Sequence, residues 1–257
     1  MIKLLVFLIL LYLIFFVLAY IFADRLIFQP PPSTYTDTSD IIKIPSEEGV
    51  LISAIYLSNP NAEKTMLYSH GNAEDLGIIL PILLEIKNYG FSVMAYDYRG
   101  YGTSDGIPSE KNSYMDITAA YRYLIDSLKI APQNIIALGR SLGGGVASEL
   151  AFRNPLGGLI LESTFLSAYR VITKISLFPL DKFNNSRKIK NITFPLMVIH
   201  GDKDQIIPFW HGEALFQLAN HPKKFYVVEN ASHNDLFMVA GKEYGLQLQE
   251  FINLIEK

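Results

Sequence analysis

The residues best suited to chemistry begin with Gly139-Arg-Ser-Leu-Gly143, a serine framed by two glycines. A serine hydroxyl is a poor nucleophile until a base takes its proton, and that base needs an acid to orient it. In a Gly-x-Ser-x-Gly turn the serine projects from a sharp strand-to-helix corner, and the bare flanking positions let neighbouring backbone approach. The context fits, because Ile135-Ile-Ala-Leu138 reads as a strand and Val146 to Phe152 as a helix. Ser141 is therefore the candidate nucleophile, and the Leu142 backbone N–H, at a helix start, a candidate oxyanion donor. Gly144 and Gly145 are expected just ahead of that helix, letting it pack close to the sheet. No Gly-Lys-Ser/Thr follows, so the phosphate-loop reading of this glycine-rich turn fails.

A base and an acid must then lie at other strand ends, in the chain order serine, acid, histidine. Of five histidines, only His233, in Glu229-Asn-Ala-Ser-His-Asn-Asp235 after the last strand, has both order and location. His70 and His200 end earlier strands, while His211 and His221 fall in or just after a helix, where solvated or capping roles are expected. For the acid, His200-Gly-Asp-Lys-Asp204 offers two candidates. Asp202 sits where a turn uses an Asx hydrogen bond, and Asp204 lies one step further into the loop, within reach of the next strand's histidine. Asp204 is preferred and Asp202 is the alternative. A second oxyanion donor is expected in Ser69-His-Gly-Asn-Ala73, where Gly71 admits close approach and the Asn72 N–H is the candidate. Asp97-Tyr-Arg-Gly-Tyr-Gly102 reads as a structural turn, with Arg99 available to pair an acid.

These segments need a scaffold that gathers strand ends. Ile41–Ile44 and Val50–Tyr56 read as a hairpin, after which short apolar runs alternate with helical ones. Strands are expected near 65–68, 92–96, 135–138, 158–161, 196–199 and 225–228, with helices over 76–88, 110–128, from 146, over 210–219 and over 241–255. Eight strands in that rhythm predict a mostly parallel sheet covered by helices on both faces, with ligands bound beyond the strands' carboxyl ends. The interval 165–191 is long enough for a short cap, and Val171 to Pro179 is its apolar candidate for a lid. Arg187-Lys-Ile-Lys190 either meets anionic headgroups or forms a solvated face.

Half of the 257 residues are apolar, enough for one sizeable core, and a net charge of −3 leaves no electrostatic footprint for nucleic acid. With no cysteine there is neither a disulfide framework nor a thiol nucleophile. Leu4 to Phe22 is uninterrupted by charge and spans about 28 Å as a helix, close to one bilayer core. Lys3 precedes it and Asp24 with Arg25 follow, a balance that favours a catalytic domain on the extracytoplasmic side. A cleaved signal peptide competes, with Val17-Leu-Ala19 as its cleavage site, but the run continues through Phe22. The expected organisation is an anchor over 1–25, a proline-rich spacer over 26–39 that leads off the membrane, and a catalytic domain over 40–257.

Together, Tyr68-Ser-His-Gly-Asn-Ala-Glu-Asp-Leu76, Asp97 to Ser104, Gly139 to Gly143, His200 to Asp204 and Ser232 to Asp235 resemble the α/β-hydrolase superfamily, in particular its membrane-anchored domain-13 and domain-17 branch. The resemblance implies an α/β-hydrolase fold and a triad of Ser141, Asp204 and His233, with Asn72 and Leu142 as oxyanion donors and no metal or organic cofactor. The domain-17 depalmitoylases carry a cysteine-rich, lipidated N-terminus, where this chain has an apolar helix. The expected activity is hydrolysis of small-molecule or lipid acyl esters or thioesters through an acyl-enzyme. A catalytically silent scaffold of the same fold and a serine peptidase are the competing classes.

Overall fold

Short apolar runs form eight strands, and those from β2 to β8 alternate between two separate cores. The computed structural model describes residues 2–174 and 181–256. Its elements are α1 (Ile2–Ile27), β1 (Ile42–Pro45), β2 (Leu51–Leu57), β3 (Thr65–Ser69), α2 (Leu76–Asn88), β4 (Ser92–Tyr96), α3 (Glu110–Arg122), β5 (Ile135–Arg140), α4 (Leu142–Arg153), β6 (Gly158–Glu162), α5 (Ala168–Thr173), α6 (Asn185–Lys188), β7 (Leu196–Gly201), α7 (Trp210–Leu218), β8 (Lys223–Val228), α8 (Leu236–Ala240) and α9 (Lys242–Ile255). The strand order is β1-β2-β4-β3-β5-β6-β7-β8, with β2 antiparallel to both neighbours and the rest parallel. Along β5, Ile135 and Ala137 enter one core with Ile117, Val146 and Leu215 from α3, α4 and α7. Ile136 and Leu138 enter the other, with Leu83 of α2 and Leu248 of α9. That period-2 split is what a sheet buried on both faces requires.

Several boundaries differ from the sequence reading. The helix expected over 110–128 ends as an α-helix at Arg122 and continues as one π-helical turn over Tyr123–Ser127. Helix α4 starts at Leu142, so Gly143 to Gly145 form its first turn and do not precede it. A side chain on Gly144 would meet Thr164, and one on Gly145 would meet Phe183. The crowding therefore comes from the loops after β6 and before α6, not from the sheet. The short helices α5 and α6 flank the cap interval. Of the apolar lid expected over 171–179, only Val171 to Lys174 fall within the described residues.

Lys3–Ile27 is long and apolar enough to cross a membrane. The helix runs past Asp24 and Arg25 before the proline run ends it. Segment 26–39, read as a spacer, instead lies against the domain. Phe28 is buried between Tyr101 and Phe183, with ring centroids 6.4 and 6.0 Å away. Thr34 N–H and hydroxyl donate to Asp75, and Tyr35 O–H donates to Asp97. Prolines stiffen a chain without deciding where it runs; here buried aromatic and polar partners decide it.

Candidate active site

Strand β5 hands Ser141 to the site in a conformation that few side chains adopt, φ 52° and ψ −115°. Such a backbone costs on the order of 1–3 kcal/mol and persists only where its surroundings impose it. Here the Ser141 N–H donates to Glu162 O at 2.8 Å, tying the corner to β6, while Thr164 Oγ1 and Gly144 N–H donate to Ser141 O. A side chain at Gly139 would collide with the backbone of Gly143, and one at Gly143 with the carbonyl of Ser69. The two glycines that frame the serine are thus required by close backbone approach.

The loop after β8 brings His233 to this corner, with its Nε2 3.0 Å from Ser141 Oγ. Its Nδ1 lies 2.7 Å from Asp204 Oδ2. A carboxylate only accepts, so Nδ1 carries the proton and Nε2 is left to receive one from the serine. Asp204 Oδ1 accepts the N–H groups of Ile206 and Ile207, and His200 Nε2 approaches Oδ2 at 3.5 Å. Burial alone would raise the Asp204 carboxyl, but hydrogen bonding from His200, His233 and the Ile207 N–H holds it well below the usual carboxylate range. The aspartate is therefore fully ionised at neutral pH.

Asp202, the alternative acid, points elsewhere: its Oδ1 accepts from Asn230 N–H at 2.6 Å and its Oδ2 pairs with Lys203. The turn hydrogen bond expected of Asp202 is made by Asp204, which uses one oxygen for the turn and the other for the histidine. His211, expected to be solvated or capping, is fully buried and accepts the Leu166 N–H on Nδ1. Burial, His200 and Arg170 push it down to about 4. His200 donates to Ile207 O and supports the acid's loop. His70 is enclosed beside Asp97, behind the Gly71-Asn72 turn. Arg99 meets the acid expected of it, Asp116, at 2.8 Å.

Both expected oxyanion donors border the serine. Asn72 lines the same cavity as Ser141, His233 and Ile206, a space of about 530 Å³, and Leu142 is the first residue of α4. Neither backbone N–H has a hydrogen-bond partner among the described residues. A larger cavity of about 960 Å³ opens between Tyr20 of α1 and α3 and α4, but it lies away from Ser141 and His233.

Arg140, the variable residue of the Gly-x-Ser-x-Gly motif, has a role that the motif does not announce. The guanidinium is buried beside Ser141 and donates to Glu74, to His233 O at 3.1 Å and to Asn234 Oδ1 at 3.2 Å, with Glu162 at 3.5 Å. Glu74 also accepts the Gly71 N–H at 2.6 Å. One side chain thus joins the histidine loop to the Gly71-Asn72 loop. An arginine inside a turn motif was the available signal, since such a charge at a strand end needs acids. Removing one partner from a buried ion pair destabilises by about 3–5 kcal/mol, so Arg140→Gln is expected to lose that much in chemical denaturation.

This strand order, with a positive-φ serine between β5 and α4, is that of an α/β-hydrolase fold. The family model described as "Serine aminopeptidase, S33" matches residues 60–185. The human alpha/beta hydrolase domain-containing protein 17B is 34% identical over 263 residues, covering 90% of each chain. The mouse alpha/beta hydrolase domain-containing protein 17C is 37% identical over 197 residues, 76% of this chain and 61% of that one. Among solved structures, an esterase from Pyrococcus furiosus superposes with a TM-score of 0.73 at 19% identity, covering 88% of this chain and 98% of its own. The esterase domain of a Rhodothermus marinus protein gives 0.65 at 19% identity, covering 82% and 97%. The chain belongs to the alpha/beta hydrolase domain-containing protein 17 family.

Proposed function

We propose that this protein is a membrane-tethered serine hydrolase that cleaves carboxylic esters or thioesters through an acyl-enzyme. The observation that carries the reading is the continuous chain from Ser141 Oγ through His233 to Asp204, at 3.0 and 2.7 Å. Ser141 Oγ attacks the acyl carbon as its proton passes to His233 Nε2, and Asp204 stabilises the imidazolium without itself taking a proton. The carbonyl oxygen, now an anion, turns to the N–H groups of Asn72 and Leu142. When the tetrahedral centre collapses, His233 returns the proton to the departing alcohol or thiol, leaving the acyl group on Ser141. A water molecule, deprotonated by the same histidine, then attacks the acyl carbon; the bond to Ser141 Oγ breaks, His233 Nε2 returns the proton to that oxygen, and the acid is released.

The tether is α1, and the charges around it favour a catalytic domain on the extracytoplasmic face. An active site held against a bilayer suits acyl substrates drawn from it. An aminopeptidase would need a free carboxylate to hold a substrate's α-amino group. The acid at this cavity, Glu74, is already taken by Arg140 and the Gly71 N–H.

Purified full-length enzyme profiled on short esters, long-chain thioesters, lysophospholipids and peptides tests the reading. Turnover is expected on ester or thioester and not on peptide. Peptide turnover alone would favour the aminopeptidase class, and a protein inert to all four and to a fluorophosphonate probe would be a silent scaffold. The tether predicts retention in the membrane pellet after an alkaline carbonate wash, and release into the supernatant would refute it.

A further inference from the structure

We propose that the Asn72 side chain is a positioning group that locks the oxyanion loop to the exit of α1, making residues 27–35 a working part of the active site. The inference rests on the serine-hydrolase reading for its kinetic consequence. The Asn72 amide takes no part in the proposed chemistry and faces the juxtamembrane chain. Its Nδ2 donates to Ile27 O at 2.7 Å, and its Oδ1 accepts from Gln29 N–H at 2.9 Å and from Tyr101 O–H at 2.6 Å. The Gln29 N–H is shared with the Tyr101 hydroxyl at 3.0 Å, which closes a three-membered polar knot.

Two further ties hold the far end of the same loop. Thr34 donates its N–H to Asp75 Oδ2 at 2.7 Å and its hydroxyl to Oδ1, while Asp75 Oδ1 caps α2 by accepting the Ile78 N–H. Tyr35 O–H donates to Asp97 Oδ2, and Asp97 Oδ1 accepts the Leu76 N–H. The Phe28 ring is buried against Tyr101, the third member of the knot, and against Phe183. Residues 70–76 are thus held on one side by Arg140 through Glu74, and on the other by the chain leaving α1.

The catalytic consequence follows from geometry. An oxyanion donor works only if it is pre-organised within a few tenths of an ångström, and a loop residue is held that well only by its supporting contacts. Gly71 supplies none from its side chain, and its own N–H and carbonyl are spent on Glu74 and His70. The Asn72 N–H is therefore aimed by its amide, and the amide's partners belong to the segment that leaves the membrane helix. Loosening that segment should reduce turnover while leaving substrate binding alone.

Full-length protein in detergent micelles, assayed with the water-soluble ester p-nitrophenyl butyrate, separates this effect from membrane access to substrate. Asn72→Ala and Phe28→Ala are each expected to lower kcat by roughly 10- to 100-fold with KM little changed, short of the full loss of a donor. Tyr101→Phe, the mildest change to the knot, should fall between wild type and these, and Phe28→Leu should restore most of the loss. Because both sites act through one link, the Asn72→Ala/Phe28→Ala double variant should be no slower than the worse single variant. An unchanged kcat in folded Phe28→Ala, or losses that multiply in the double variant, would overturn the coupling. Wild-type protein inert to every ester would remove the hydrolase reading instead. Amide exchange at residues 71–73 then decides the coupling alone: faster exchange in Phe28→Ala or Tyr101→Phe sustains it, and unchanged exchange in both rejects it.

Discussion

Ser141→Ala is expected to lower kcat by about 10⁴- to 10⁶-fold and to abolish fluorophosphonate labelling, the largest effect of any single substitution in the chain. His233 Nε2 has Ser141 Oγ as its partner, so no second hydroxyl among the described residues inherits the proton transfer. What remains in the variant is binding and the oxyanion donors, which by themselves retain a measurable advantage over water. Stability should move in a way that separates chemistry from folding. Alanine at φ 52° is strained much as serine is, so Ser141→Ala should unfold close to wild type. Ser141→Gly relieves that strain and should gain on the order of 1 kcal/mol while being equally inactive. A more stable, dead enzyme would show that the corner is held in its conformation for the reaction and not for the fold. Thermal unfolding and probe labelling of the two variants side by side make the test, and a labelled Ser141→Ala would move the nucleophile elsewhere.

What could be read from the sequence was local, and what could not was contributed by distant chain. Ser141, Asp204 and His233 each follow an apolar strand by a few residues, so the parallel-sheet rhythm and chain order narrow the choice to Ser141, His233 and a pair of aspartates, of which the structure brings Asp204 to the histidine. Arg140 stood in plain view, but its partners are Glu74 and His233, 66 and 93 residues away, and no periodicity announces them. His211 is enclosed because the α7 face it occupies turns toward the loop of Leu166, a matter of helix rotation that a nine-residue element does not encode clearly. Segment 26–39 looked like a spacer from its prolines and polar residues. Its docking depends on Phe28, Thr34 and Tyr35, three side chains whose partners lie in loops 41 to 155 residues further on. The glycines of α4 do serve packing, but against Thr164 and Phe183, which arrive from separate loops that no local pattern reveals.

Asp204→Asn is expected to lower kcat by about 10⁴-fold in a chain that still folds, though less stably, for a reason set by hydrogen-bond polarity. Asp204 Oδ1 receives two N–H groups, from Ile206 and Ile207 at 2.9 and 2.8 Å. An asparagine must keep its carbonyl oxygen on that side, which turns its NH₂ toward His233. The imidazole can then only accept at Nδ1, its proton moves to Nε2, and the serine hydroxyl loses its base. Asp202→Asn breaks no such relation, because that carboxylate accepts from Asn230 N–H and pairs with Lys203 at the edge of the loop. Its kcat should stay near wild type, within about threefold, as expected for a change that does not touch the reacting groups. The carboxylate also carries a pH signature. The folded Asp204 is held below its unfolded value, so its stabilising contribution is complete above about pH 4 and is lost as pH falls toward the folded value. The stability gap between wild type and Asp204→Asn should therefore be constant from roughly pH 5 to 8 and narrow below about pH 4 in urea titrations. If Asp202→Asn proved the slower enzyme, the acid would be Asp202 and the loop would have to rearrange on binding substrate.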